Sequence, residues 1–271
     1  MNALAKSKNT RETIQAVKIT EEVSKEIIAE YRKAKQKIFF IDYDGTLVDF
    51  VDKPENARPD QQLKELILEL TKQSNTDVIL ISGRDKNTLG EWWQELPVKL
   101  IAEHGVWTKA QNADWTLSEN VKNDWMEAVR PVIQSFVDRT PGTFIEEKNY
   151  SLAWHYRKAD PELGEMRSNE LSTVVKELIS NHGLSVLEGN KVLEIKSSGV
   201  NKGGAATKLL VEKEYDFIFA IGDDWTDEFM FKDLPEKSYT VKVGRNKTSA
   251  RYYTEGTARV RGLLKEFTLK K

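Results

Sequence analysis

With 271 residues, the chain is long enough for roughly 1.8 average domains, so it has room for one sizeable core and a second, smaller one. A composition of 39% hydrophobic and 31% charged residues excludes fibrous, collagen-like and mainly disordered classes. The 41 Lys and Arg nearly balance 43 Asp and Glu, a field too weak to draw nucleic acid or a membrane surface to the whole molecule. Without a single cysteine there can be no disulfide, thiolate zinc site or catalytic thiol, and only three histidines speak against a histidine metal cage. The opening Met1–Arg11 is polar and lacks the apolar centre of a signal peptide, and no apolar run approaches the ~20 residues that span a bilayer. A soluble, cytoplasmic protein is the expectation.

In chain order, Ile19, Val23, Ile27 and Tyr31 recur at a spacing of four and predict a one-sided helix between Ile19 and Lys37. It would end an N-terminal extension over residues 1–36, and would be the tether if the chain is one piece of a longer polypeptide. Ile38–Asp42 and Asp77–Ile81 are short apolar runs that read as buried parallel strands. Between them Leu63, Leu66, Ile67 and Leu70 give an amphipathic helix over Pro59–Lys72. Val98–Ala102, Phe217–Ile221 and Tyr239–Val243 supply three further strands, with a helix over Gly203–Glu212 before the fourth.

The middle of the chain changes character. Val121 to Phe136 and Glu170–Ile179 read as helices, Thr143–Lys148 with Ser151–Arg157 as a hairpin about Asn149, and Ser185–Glu188 with Lys191–Lys196 as a hairpin about Gly189-Asn190. The expected architecture is α/β: a Rossmann-like parallel-sheet core over 37–116 and 199–271, with an inserted α/β cap over 117–198. The basic tail Arg259–Lys271 reads as a solvated helix face. Trp92-Trp93 reads as helix packing, because adjacent helical residues point apart.

The chemistry concentrates at strand ends, where open α/β sheets place their ligands. Asp42-Tyr43-Asp44-Gly45-Thr46 ends the first strand, and Gly222-Asp223-Asp224-Trp225-Thr226-Asp227-Glu228 ends another. If the two strands are neighbours, five or six carboxylates converge, and like charges so close call for a compensating cation. Oxygen donors without His or Cys favour magnesium. Lys202, in Asn201-Lys202-Gly203-Gly204, opens a helix at the end where its charge opposes the helix dipole. A shared anion such as phosphate resolves that mismatch. Ser82-Gly83-Arg84 offers a hydroxyl and backbone donors at another strand tip.

Asp-x-Asp-Gly-Thr, Ser-Gly-Arg, a helix-leading lysine and Gly-Asp-Asp-x-x-Asp, in this order, resemble the haloacid dehalogenase superfamily of phosphohydrolases. With the insertion, Glu146-Glu147-Lys148 and Ser151-Leu152-Ala153-Trp154-His155-Tyr156-Arg157, the chain resembles trehalose-6-phosphate phosphatases over about residues 36–260. The resemblance implies hydrolysis of trehalose 6-phosphate in trehalose biosynthesis. Asp42 would be the nucleophile forming an aspartyl-phosphate, and Asp44 the acid and then the base. It implies magnesium on Asp42, the Asp44 backbone carbonyl and Asp223, with Asp224 and Asp227 supporting the water shell or Lys202. Ser82, Gly83 and Lys202 would hold phosphate, while Thr46 either positions the phosphoryl group or ties down its turn. The resemblance leaves open fusion to, or association with, a trehalose-6-phosphate synthase.

Period-two alternation puts Glu146 and Lys148 on one strand face with Ile145 on the other, and sets Arg157 and Glu194 against apolar neighbours. That leaves Glu146, Lys148, Arg157 and Glu194 on a polar surface, where the resemblance implies the sugar contacts, with Arg84 meeting the cap on closure; cross-strand ion pairing on a solvated sheet is the plainer alternative. His155 shares the parity of Arg157 and would act from behind it, and His104 suits a structural role about as well as a site role. The rival functions are a phosphatase for another saccharide phosphate, such as sucrose phosphate or mannosylglycerate phosphate, and a phospho-accepting signalling domain. The second acid, Asp44, counts against the latter.

Overall fold

A computed structural model describes residues 16–51, 53–119, 121–180, 183–189 and 191–269. The polar stretch Met1–Arg11 and Asn190 of the second predicted hairpin lie outside the described residues. The chain divides into two compact units, one running up to Val78 and resuming at Leu210, the other covering Ile79–Leu209.

In the first unit five strands lie side by side in the order Val17–Lys18, Tyr252–Thr254, Tyr239–Val243, Phe217–Gly222 and Lys37–Asp42, all parallel. Lys37–Asp42 and Phe217–Gly222 are buried along their whole length, which is why they show no alternation in sequence. The first helix covers Glu21–Lys33, with the Thr20 hydroxyl accepting from the Val23 N–H. It ends before the predicted Lys37 because that residue already belongs to the strand. Gln61–Thr71 is helical, with the Asp60 carboxylate as N-cap.

In the C-terminal tail Arg259 and Lys265 are exposed, as expected of a solvated helix face, and the opposite face is buried. Thr257–Thr268 is a helix that buries Val260, Leu263, Leu264 and Phe267. The Phe267 ring meets Tyr31 at 4.9 Å and Phe39 at 5.0 Å, both edge-on. The i, i+3, i+4, i+7 spacing was present among the charges, and each such fully buried side chain contributes ~1.5–3 kcal/mol.

In the second unit Ile79–Ile81, the end of the strand Thr76–Ile81, pairs parallel with Lys99–Ile101. Trp107–Lys109 and Trp115–Leu117 continue antiparallel. Between the first two runs lies a helix, Lys86–Trp93, which buries both Trp92 and Trp93. The same unit holds a separate antiparallel sheet in the order Phe144–Glu147, Ser151–His155, Val192–Ser197, Leu184–Gly189. Helices Met126–Val137 and Pro161–Leu178 supply Val129, Ile133, Leu171 and Val175 to a core with Leu152, Trp154, Leu193 and Ile195. The second helix starts nine residues before the predicted Glu170, because Asp160 caps it and Pro161 occupies its first turn. The α/β fold with an inserted α/β cap is thus as the sequence predicts. Among the described residues no helix is long and apolar enough to cross a membrane.

Candidate active site

The first unit gathers acids at the ends of two adjacent parallel strands. Asp42 is 4% exposed at the end of its strand, and Phe217–Gly222, paired with that strand, delivers Asp223 immediately afterwards. Oxygen atoms of Asp42, Asp223 and Asp227 lie within 4.8 Å of one another. Two unit charges 4 Å apart repel by about 4 kcal/mol at an effective dielectric of 20, so a cation would relieve the repulsion among these carboxylates, of which Asp42 and Asp227 are buried and Asp223 half-buried. Three oxygen donors without nitrogen or sulfur suit a hard divalent ion. Asp227, expected to support the water shell or Lys202, has its carboxylate within the cluster and accepts the Asp224 N–H at 3.1 Å. Asp44 follows in the turn and is half-buried.

Small residues make this crowding possible. A β-carbon on Gly222 would lie 2.1 Å from the Asp227 carboxylate carbon, and one on Gly45 2.2 Å from Asp223 Oδ2. Gly45 also has φ +76°, where other residues are strained. Thr46 is buried and its hydroxyl donates to Asp223 Oδ1 at 3.4 Å. Asp224 turns its carboxylate to Thr226, whose N–H and hydroxyl both donate to Oδ1.

Lys242 was not legible as a site residue, because an alternating charge on a strand looks like any solvated one. It is 3% exposed, and its ammonium donates to the Asp224 carbonyl at 2.9 Å and lies 3.6 Å from Glu228 Oε1. It therefore anchors the backbone of the acidic loop.

The second unit carries the other predicted residues. Ser82 is 1% exposed and accepts the Arg84 N–H. Lys202 begins its helix and is 2% exposed. The Arg84 guanidinium lies over the Trp92 ring at 4.6 Å. On the four-stranded sheet Glu146 and Glu194 both pair with Ala153, so one line crosses three strands on one face. Ile145 and Leu193 both pair with Trp154 on the opposite, apolar face. Lys148 sits 4.0 Å from Glu146 and 3.9 Å from Glu194, and donates to the Gly83 carbonyl at 3.3 Å. Burial alone would depress its pKa, but Glu194, Glu146, Glu103 and Asp85 outweigh burial and hold it above the usual lysine value. Glu194 also accepts from the Ser151 hydroxyl at 2.7 Å. His155 Nε2 bonds Glu146 at 2.7 Å and thereby holds that carboxyl below its usual pKa. Arg157 lies just past the strand end, exposed.

The fold is that of the haloacid dehalogenase-like hydrolases. A haloacid dehalogenase-like hydrolase from B. subtilis superposes with a TM-score of 0.60 over 85% of this chain and 99% of that one, at 13% identity. Within that class the chain belongs to the trehalose-phosphatase family, which it matches over residues 40–258. It is 38% identical to a bifunctional trehalose-6-phosphate synthase/phosphatase from Thermoproteus tenax, over 97% of this chain and 36% of that one. The C-terminal domain of a C. albicans trehalose-6-phosphate phosphatase has a TM-score of 0.85 at 26% identity, covering 95% of this chain and 99% of the other. The chain spans about a third of the length of the curated relatives it matches.

Proposed function

We propose that this chain hydrolyses trehalose 6-phosphate to trehalose and orthophosphate in trehalose biosynthesis. The meeting of Asp42, Asp223 and Asp227 within 4.8 Å, in a chain of the trehalose-phosphatase family, is the observation that carries the reaction. An Asp42 carboxylate oxygen attacks phosphorus as the bond from phosphorus to the sugar oxygen breaks, and Asp44 gives its proton to that departing oxygen. Asp44 then takes a proton from water, the water oxygen attacks phosphorus, and orthophosphate leaves as the Asp42 carboxylate is regenerated. Ser82, the Gly83 backbone and Lys202 hold the phosphoryl oxygens. Asp42, the Asp44 carbonyl, Asp223 and Asp227 would hold magnesium, which would supply positive charge to offset the phosphoryl oxygens.

The insertion over residues 117–198 chooses the substrate. Glu146, Lys148, Arg157 and Glu194 bind sugar hydroxyls, and Arg84 contributes from the neighbouring loop. The Glu146–Ala153–Glu194 line, with Lys148 beside it, supports this, since carboxylates bridged by one ammonium are preset acceptors for hydroxyl groups. The reaction takes place in the cytoplasm beside, or fused to, a trehalose-6-phosphate synthase, in keeping with the bifunctional name of the T. tenax relative. Trapping the intermediate tests the chemistry: acid-quenched single turnovers of labelled substrate should leave label on Asp42, and Asp42→Asn should leave none and turn nothing over. Turnover retained by D42N would remove Asp42 as nucleophile.

A further inference from the structure

One turn in the second unit packs against the Ser82-Gly83-Arg84 loop, Asn201 and Glu194. Glu103, His104 and Gly105 follow the strand Lys99–Ala102 with φ of +50°, +55° and +114°. Two consecutive side-chain-bearing residues in the left-handed region hold a conformation the local chain disfavours, so the surrounding structure imposes it. The backbone shows how. The Glu103 N–H donates to the Arg84 carbonyl at 3.0 Å and the His104 N–H to the Ser82 carbonyl at 2.9 Å. A β-carbon on Gly105 would meet the Asn201 carbonyl oxygen at 2.9 Å, next to Lys202.

The side chains point the same way. The His104 ring fills the space beside Gly83 so closely that a β-carbon there would lie 2.4 Å from Nε2. The same Nε2 stands 3.9 Å from Glu194 Oε2, while Oε1 of Glu194 takes the Ser151 hydroxyl and faces Lys148. His104 Nδ1 is buried and has no hydrogen-bond partner, as is Glu103 Oε2. Burial, reinforced by Lys196, Lys202 and Lys148, holds the imidazole pKa well below its ordinary value. The neutral ring at 3.9 Å therefore meets Glu194 as a packing neighbour, without a hydrogen bond or an ion pair.

We propose that His104 is a positioning residue: its ring, wedged between Gly83 and Glu194, fixes Glu194 Oε2 in place for a sugar hydroxyl. Gly83 is without a side chain because the imidazole needs that space, and the strained turn is retained because it delivers the ring there. This rests on the assignment of Glu194 to the sugar, and a double-mutant cycle separates the two. On the full chain, Glu194→Gln and His104→Asn should each raise KM for trehalose 6-phosphate by roughly tenfold, with kcat changed less than about threefold. The double variant should be no worse than E194Q alone. His104→Gln, whose amide reaches the Nε2 position, should recover most of the loss. If E194Q leaves KM in place, the sugar assignment fails and the inference with it. If E194Q raises KM but H104N does not, or the two effects multiply, the inference alone is overturned. Should H104N not fold, ring-nitrogen spectra of 15N-histidine protein carry the test: His104 signals should move in E194Q, and unmoved signals overturn the inference.

Discussion

The α-carbon of Gly45 lies so close to the Asp223 carboxylate that a methyl group there would stand 2.2 Å from Oδ2. The turn after the first acidic strand and the loop after the second are thus fitted to each other at van der Waals contact. With φ at +76° as well, Gly45→Ala should cost at least ~2 kcal/mol and lower Tm by about 4 °C or more. Thermal unfolding of G45A checks this, and an unchanged Tm would mean that the two loops are not packed together.

The crowding of Asp42, Asp223 and Asp227 carries mutual repulsion that a bound divalent cation relieves, so such a cation should stabilise the fold. Millimolar magnesium should raise Tm of the wild type, and Asp227→Asn should shrink that rise while leaving the cation-free protein at least as stable. A larger rise in D227N than in the wild type would place the ion elsewhere.

Lys242 ties the Asp224 carbonyl to the strand Tyr239–Val243. Lys242→Met keeps the buried stem and removes the donor, so the acidic loop should loosen and magnesium should bind about tenfold more weakly, read by titration of the thermal shift. Equal affinity in K242M would reduce Lys242 to a packing role.

Glu103 gives a pH dependence of known sign. Burial raises its pKa above the ordinary 4.5, against the pull of Lys148. An acid with a raised folded pKa contributes stability that is fully present below the unfolded pKa and lost as pH rises through the folded value. Glu103→Gln should therefore raise Tm at pH 7.5, and the gain should vanish below about pH 4.5. A gain that grows on acidification would contradict the burial argument.

The cap residues predict a split between substrates. Glu146→Gln should raise KM for trehalose 6-phosphate by tenfold or more and harm a small aryl phosphate less, because the aryl group offers no hydroxyls to Glu146. Equal losses on both would move Glu146 out of the sugar site.

The sequence announced some of these features and hid others, for physical reasons. The runs Ile38–Asp42 and Phe217–Ile221 were legible as strands because burial on both faces leaves no polar position to interrupt them. The polar line through Glu146 and Glu194 was legible because alternation survives where a sheet has one apolar face. The buried face of Thr257–Thr268 is hard to see because charged residues such as the exposed Arg259 and Lys265 dominate its composition, while only the spacing of four apolar residues records it. Lys242 and the Glu103-His104 turn left no pattern at all. A buried lysine and a left-handed backbone are imposed by neighbours distant in sequence, and no local periodicity encodes them.

Phosphate release by the purified chain from trehalose 6-phosphate and from a panel of other sugar phosphates, with magnesium and with a chelator, tests the proposed reaction most directly. Trehalose 6-phosphate should have the highest kcat/KM of the panel, and its turnover should disappear with the chelator. A higher kcat/KM for sucrose phosphate or another saccharide phosphate, or full turnover without a divalent ion, would contradict it.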